Sequence, residues 1–328
     1  MRGSPVCLRS SLVLNRGGHN GTVRAKEGLN FLSFMSTRIM QERGASCGSR
    51  ASRRWILSWV AAAIFAAGQV QAGEKVPVLI YHQIVEGADA GGETSIGLRR
   101  FAEQMRYLRE AGYTTVSTRD LVAYMRGDIE LPEKSIVLTF DDGWKNVLNA
   151  VPVLNTFQFK ASFWIITEAG IGRDYVEWSD VIALGRNPDF EVYSHTATHP
   201  WDPWSNLVTW VDGDDPRFGP ADALRELVDS KRLLEDKLGQ PVPYLAWPVG
   251  WYNDRLVEMA RQAGYEGLLT AEDGANGSGD DVYQIRRLFV DGACDLSAFI
   301  RLINSHRYES CAQGAWVTRG HSPAPYRH

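Results

Sequence analysis

Cysteine is scarce, with Cys7, Cys47, Cys294 and Cys311 the only four in 328 residues. None shows the short spacing of a metal–thiolate site, which excludes a thiolate-held ion. A surplus of one charge is also missing. The 35 basic and 39 acidic side chains leave a formal charge of -4, no electrostatic basis for binding nucleic acid or an anionic membrane. No internal repeat and no interdomain linker is visible. The apolar stretch Trp55 to Ala67 falls short of the ~20 residues that span a bilayer. What remains is an ordinary globular composition, 44% hydrophobic and 23% charged, long enough for one large core or two small ones. Eleven tryptophans is a high count. Flat rings serve sugar-binding clefts and large cores alike, and composition does not choose between them.

Residues 1–50 are rich in Arg, Ser and Gly without periodicity and read as a disordered or misassigned N-terminal extension. Arg53-Arg54, the apolar stretch, and Val70-Gln71-Ala72 come in the order of a secretory signal peptide, 51–72, cleaved near Ala72. Such peptides start within ~15–30 residues of the initiator, so Met40 fits as a start better than Met1. An uncleaved signal anchor is the alternative. No cysteine stands at the expected cleavage site after the apolar stretch, so lipid attachment is not expected. The mature chain, 73–328, is expected in the periplasm or outside the cell, with no stable membrane span after cleavage. There Cys294 and Cys311 pair as a disulfide or remain two buried thiols.

From Val76 the pattern alternates between strands and helices. Val76–Tyr81 reads as a strand ending at His82, Leu98–Ala111 as a helix, and Ile136–Phe140 as a buried strand ending at Asp141-Asp142-Gly143. Asn146–Phe157 reads as a helix, Lys160–Ile166 as a strand, Trp178–Gly185 as a helix and Glu191–His195 as a strand. Asp202–Pro220 reads as a long surface loop. Ala221–Leu238 is the clearest helix, with Leu224, Leu227, Val228, Leu234 and Leu238 as its core stripe. Tyr244–Pro248 is a strand, Asn253–Ala263 a helix, Ile285–Val290 a late strand and Leu296–Ile303 a last helix. Repeated strand–helix units over ~250 residues predict one α/β domain, a parallel barrel or a distorted relative.

Two clusters carry chemistry. Asp141 and Asp142 sit where a strand meets a loop, and two anions that close need a cation or a shared proton. A solvated Asp-Asp-Gly turn is the alternative. His195-Thr196-Ala197-Thr198-His199 sets two histidines four apart after another strand. A helical turn there would put both on one face, able to grip one ion. Two imidazoles and one carboxylate leave open positions, as in a catalytic rather than a structural zinc site.

Thr139-Phe140-Asp141-Asp142-Gly143 and His195-Thr196-Ala197-Thr198-His199 resemble the two signature motifs of polysaccharide deacetylases, the NodB-homology domain of carbohydrate esterase family four. Ala246-Trp247-Pro248-Val249-Gly250 is similar to a divergent third motif. The resemblance covers Val76 to Phe299 and implies a single-domain, distorted (β/α) barrel. It implies that Asp142, His195 and His199 bind a divalent metal, zinc first and cobalt or nickel on the same ligands. Asp141 would be the general base, with the Val249 backbone N–H placed for the oxyanion. Most relatives carry a Leu-x-His that has no counterpart at Gly267–Thr270. Tyr81-His82 is instead similar to the subgroup acting on poly-β-1,6-N-acetylglucosamine, which makes His82 the acid, with His306 a fallback. Ala246 stands where many relatives have an arginine that orients the base. Arg286 or Arg287 would replace it, only one of the two facing inward. Asp291 is a candidate to orient His82. Trp247, Trp251, Tyr252, Trp201 and Trp204 are candidates for sugar stacking. The implied partners are an acetylated glycan substrate and polysaccharide export machinery, with no nucleic acid. The expected activity is N-deacetylation of an N-acetylglucosamine polymer. The alternatives are a chitooligosaccharide or peptidoglycan deacetylase, an O-acetyl xylan esterase, and a non-catalytic glycan-binding relative.

Overall fold

The computed structural model describes residues 74–87, 92–168 and 171–311. The extension expected at 1–50 and the signal peptide expected at 51–72 lie outside them. The chain runs through β1 (Val76–Tyr81), β2 (Gln83–Val85), β3 (Ser95–Gly97), α1 (Leu98–Glu110), β4 (Thr114–Thr115), α2 (Thr118–Met125) and β5 (Ser135–Phe140). It continues through α3 (Ala150–Phe157), β6 (Ala161–Ile165), α4 (Trp178–Arg186), β7 (Phe190–Ser194), β8 (Trp201–Asp202), β9 (Ser205–Asn206) and α5 (Leu207–Asp212). Then come α6 (Pro220–Leu238), β10 (Tyr244–Ala246), α7 (Asp254–Gln262), β11 (Gly267–Leu269), β12 (Ala275–Asn276), β13 (Leu288–Phe289) and α8 (Leu296–Ser305).

The strands β11-β10-β7-β6-β5-β1 pair in that order, all parallel. Every residue of β1, β5 and β6 is buried, as expected where helices cover one face of a parallel sheet and the other faces the barrel interior. The segment expected as one strand at 285–290 is split. Ile285 bridges Leu269 of β11, while Leu288 and Phe289 pair with Leu79 and Ile80 of β1. Five residues thus join the two ends of the sheet and close it into a distorted barrel.

Side chains alternate across each wall. Phe140 stacks between Tyr81 and Phe163 at 5.3 and 5.1 Å and meets Phe101 of α1 at 5.9 Å, on the helix side. Its neighbours Thr139 and Asp141 therefore face the interior. The region 202–220 is not the expected irregular loop. It holds the β8–β9 hairpin and α5, whose first turn is capped by Asn206 accepting from Val208 and Thr209 N–H. The stripe on α6 also differs from expectation. Leu227 and Leu234 are fully buried, but Leu224 and Val228 are exposed, and the buried face carries Glu226 and Ser230 instead. No helix among the described residues is long and apolar enough to cross a membrane.

Candidate active site

Parallel strands present all their C-terminal ends on one side, and there the chemistry-bearing residues converge. His82 follows β1, Asp141 and Asp142 follow β5, His195 follows β7 and Val249 follows β10. All five, with Arg287, line one cavity of about 580 Å³.

Asp142 Oδ1 lies 3.4 Å from His195 Nε2 and 3.6 Å from His199 Nε2. The three donor atoms fall within 4.8 Å of one another. His195 Nδ1 is 2.9 Å from Ala246 O, an atom that only accepts, so Nδ1 carries the proton and Nε2 faces the cavity. A borderline-soft divalent ion fits this donor set. Burial, reinforced by the neighbouring His195, pushes His199 down to about 4, so its imidazole is neutral near pH 7. Burial works to lower the His195 pKa as well, but Asp141 and Asp142 outweigh it and raise it. Burial alone would raise the Asp142 carboxyl, yet the surrounding histidines hold it well below the usual carboxylate range.

Asp141 is buried, and its Oδ2 lies 3.9 Å from His195 Nε2. Its Oδ1 accepts from Arg287 Nη1 at 2.9 Å, an ion pair with both side chains almost fully enclosed. Arg287 also donates from Nε to Thr270 O at 2.7 Å and from Nη1 to Thr139 Oγ1 at 3.3 Å. Burial pushes Asp141 up, and the Arg287 guanidinium, with His195 and His82, more than offsets this and lowers it. The carboxylate is therefore ionised and ready to accept a proton.

The two histidines are brought together by a loop, not by the helical turn the spacing suggested. Thr196 and His199 have φ of +67° and +55°, and Asp142 and Val249 have +71° and +57°. Three of these, Asp142, His199 and Val249, line the cavity, and Thr196 adjoins His195, a concentration of backbone strain typical of functional sites. The histidine loop is held in that shape from outside. Glu226 Oε2 accepts from Ala197 and Thr198 N–H, both at 2.8 Å, and Oε1 accepts from Thr198 Oγ1 at 2.6 Å. Thr196 Oγ1 accepts from His199 N–H at 3.1 Å. Glu168 N–H donates to Ala197 O at 2.8 Å.

The remaining candidates divide. The His82 ring faces the cavity beside Phe289, with 5.5 Å between centroids. Val249 lines the cavity and is 36% exposed. Trp201, 67% exposed, stands at the rim beside a neighbouring cavity of about 550 Å³ that also borders His199. Trp204 is more exposed still.

Several expectations are corrected. Trp247 is fully enclosed and Tyr252 is buried with its hydroxyl on Glu272 Oε1 at 2.8 Å, so neither presents a ring face to a sugar. Trp251 is partly buried against the cluster that holds Trp247. Arg286 faces outward, with Nη1 3.9 Å from Asp280 Oδ2, because strand alternation turns Arg287 inward in its place. Asp291 does not orient His82. Its Oδ1 accepts from Ala293 N–H at 2.8 Å and its Oδ2 from Cys311 N–H at 3.1 Å, which ties down the C-terminal segment. His306 caps α8 and does not line the cavity. Two residues were missed. Trp144 donates from Nε1 to Asp142 Oδ2 at 2.9 Å, and Glu226 braces the histidine loop. A tryptophan directly after Asp-Asp-Gly was a visible signal for the first. No local pattern announced the second.

A barrel with an Asp-His-His donor set and a buried ionised carboxylate at its C-terminal mouth is an arrangement able to hold a divalent ion beside a proton acceptor. Residues 128–268 match the family model described as "Polysaccharide deacetylase". YxkH of Bacillus subtilis (strain 168), named after the same family, is 27% identical over 232 residues, 70% of this chain and 77% of that protein. The poly-beta-1,6-N-acetyl-D-glucosamine N-deacetylase of Escherichia coli (strain K12) is 29% identical over 254 residues, 68% of this chain. That alignment spans only 38% of the Escherichia coli protein's length. The solved structure of IcaB from Ammonifex degensii superposes with a TM-score of 0.61 at 26% identity, covering 72% of this chain and 99% of that one. The matched segment is a polysaccharide deacetylase domain of the NodB type, and the homologues and structural neighbours are polysaccharide deacetylases of carbohydrate esterase family four.

Proposed function

We propose that this chain is an exported, metal-dependent N-deacetylase acting on a poly-β-1,6-N-acetylglucosamine-type polymer. The observation that carries the reading is one cavity in which Asp142, His195 and His199 converge beside the Arg287-paired Asp141, with His82 on the cavity wall. Asp142, His195 and His199 would hold the ion, with zinc expected first and cobalt or nickel suited to the same donors. A divalent ion there supplies Lewis-acid activation of water and of the amide carbonyl. Asp141 accepts the proton of the attacking water, and Arg287 keeps it ionised until then. The Val249 N–H is assigned to the developing oxyanion. His82 delivers a proton to the nitrogen as the C–N bond breaks, which releases acetate and a free amine. The exposed rings of Trp201 and Trp204 and the adjoining cavity suit a substrate longer than one sugar. The named substrate of the Escherichia coli relative supports the choice of polymer. The signal-like segment at 51–72 supports export to the periplasm or beyond, with polysaccharide export machinery as partner.

The test is amine release from a panel of acetylated glycans with and without chelator and re-added metal. Release from the β-1,6-linked polymer that vanishes with chelator and returns with zinc is the expected result. Release only from chitooligosaccharide, peptidoglycan or acetyl xylan would replace the polymer assignment. Metal binding without any release would leave a glycan-binding relative.

A further inference from the structure

The two carboxylate oxygens of Asp142 have different partners. Oδ1 faces both imidazoles, at 3.4 and 3.6 Å. Oδ2 accepts the indole N–H of Trp144 at 2.9 Å. That indole is itself fixed. Its ring stacks on Tyr175 with 4.4 Å between centroids and 21° between planes, and the two backbones form an antiparallel bridge. The flanking backbone is pinned as well, by Lys145 N–H to Asp174 O at 2.8 Å and Val176 N–H to Gly143 O at 2.9 Å. An indole N–H is a donor only and does not titrate, so it engages Oδ2 at every working pH.

We propose that Trp144 is a positioning residue that restricts Asp142 to ligation through Oδ1 alone. The inference rests on the reading of Asp142, His195 and His199 as the metal-holding set. With Oδ2 engaged, the protein offers one donor atom from each of three residues, and the other positions round an ion stay open. A carboxylate released from the indole can turn and offer both oxygens, occupying a position that water or the amide carbonyl needs. Trp144 and Tyr175 line the same cavity, so the wall that fixes the carboxylate also borders the space for the substrate.

The test uses Co²⁺ as probe in the wild-type protein and Trp144→Phe, which keeps an aromatic ring beside Tyr175 and removes the N–H donor together with part of the indole. Co²⁺ absorption in the visible reports coordination number, chelator competition reports Zn²⁺ affinity, and turnover is measured beside thermal unfolding. The expected result is a weaker, higher-coordinate Co²⁺ spectrum, Zn²⁺ affinity equal or higher, an unchanged melting temperature, and kcat lower by about 10-fold. A packing role alone predicts the opposite combination, with melting temperature and Zn²⁺ affinity falling together, and that result overturns the proposal. An unchanged spectrum with unchanged kcat overturns it as well. Should Trp144→Phe fail to fold, site-specific benzothienylalanine at position 144 keeps the indole shape without its N–H, and the same outcomes apply. A wild-type protein that binds no Co²⁺ would refute the metal-site reading itself, a result distinct from the failure of this one.

Discussion

Asp141 and Asp142 are neighbours in the chain, yet one is paired with a guanidinium and the other with two imidazoles. That separation is the basis of the different roles proposed for them. Asp142→Ala should lose metal affinity by more than the roughly 10–100-fold that an outer partner is worth, read by chelator competition. Asp141→Asn should keep the ion and lose about 100-fold or more in turnover. Full activity in Asp141→Asn would end the base assignment. Arg287→Met strands the buried Asp141 charge, and the fold should lose about 3–5 kcal/mol in denaturant unfolding. The same variant lets burial raise the carboxyl, so the acid limb of the pH–rate profile should move to higher pH. In the wild type the Asp141 pKa is depressed. Its stabilisation is therefore complete above the ordinary carboxylate range and is lost as pH falls below it. His195 has the opposite sign. The two carboxylates raise its affinity for a proton that an ion must displace. Metal binding should release protons and strengthen as pH rises until His195 is neutral, measurable by calorimetry in buffers of different ionisation enthalpy.

Among the elements, the loop after β7 and helix α6 form one unit. Within the loop the left-handed Thr196 and His199 share one hydrogen bond, and the Glu226 carboxylate from α6 accepts three more from Ala197 and Thr198. Glu226→Ala should lower metal affinity or turnover about 10–100-fold, while Glu226→Gln, which still offers an acceptor to the two amides, should retain most of both. Equal losses in both variants would show that charge rather than geometry matters. The apolar stripe predicted on α6 was half right because position 226 lies on the buried face, where a pattern reading expects only apolar residues. The helical-turn reading of His195–His199 expected the two rings on one side of a helix, whereas a loop brings them together. Spacing of four serves a helix, but two residues with positive φ bring the rings equally close, with 4.6 Å between centroids.

At the scale of the whole barrel, closure comes from a segment late in the chain. The segment 285–289 joins β11 to β1 and delivers Arg287 to the interior, and the Cys294–Cys311 disulfide fastens the chain beyond β13. With a sequence separation of 17 between the cysteines, loop-closure entropy is worth about 3 kcal/mol. Reduction, or Cys294→Ser with Cys311→Ser, should lower the melting temperature by several degrees, and an unchanged transition would assign the bond no role in stability.

The local chemistry of the chain was legible without coordinates. Buried β-rich runs marked β1, β5, β6 and β7, and polar groups after β1, β5 and β7 marked His82, Asp141, Asp142, His195 and His199, because period and punctuation are properties of neighbours in sequence. Which arginine enters, which tryptophans are enclosed and which distant carboxylate braces the histidines were decided only by tertiary structure. Those outcomes depend on strand register and on contacts between residues as far apart as Arg287 and Asp141, 146 positions along the chain. No local pattern encodes the direction a side chain takes once the barrel has closed.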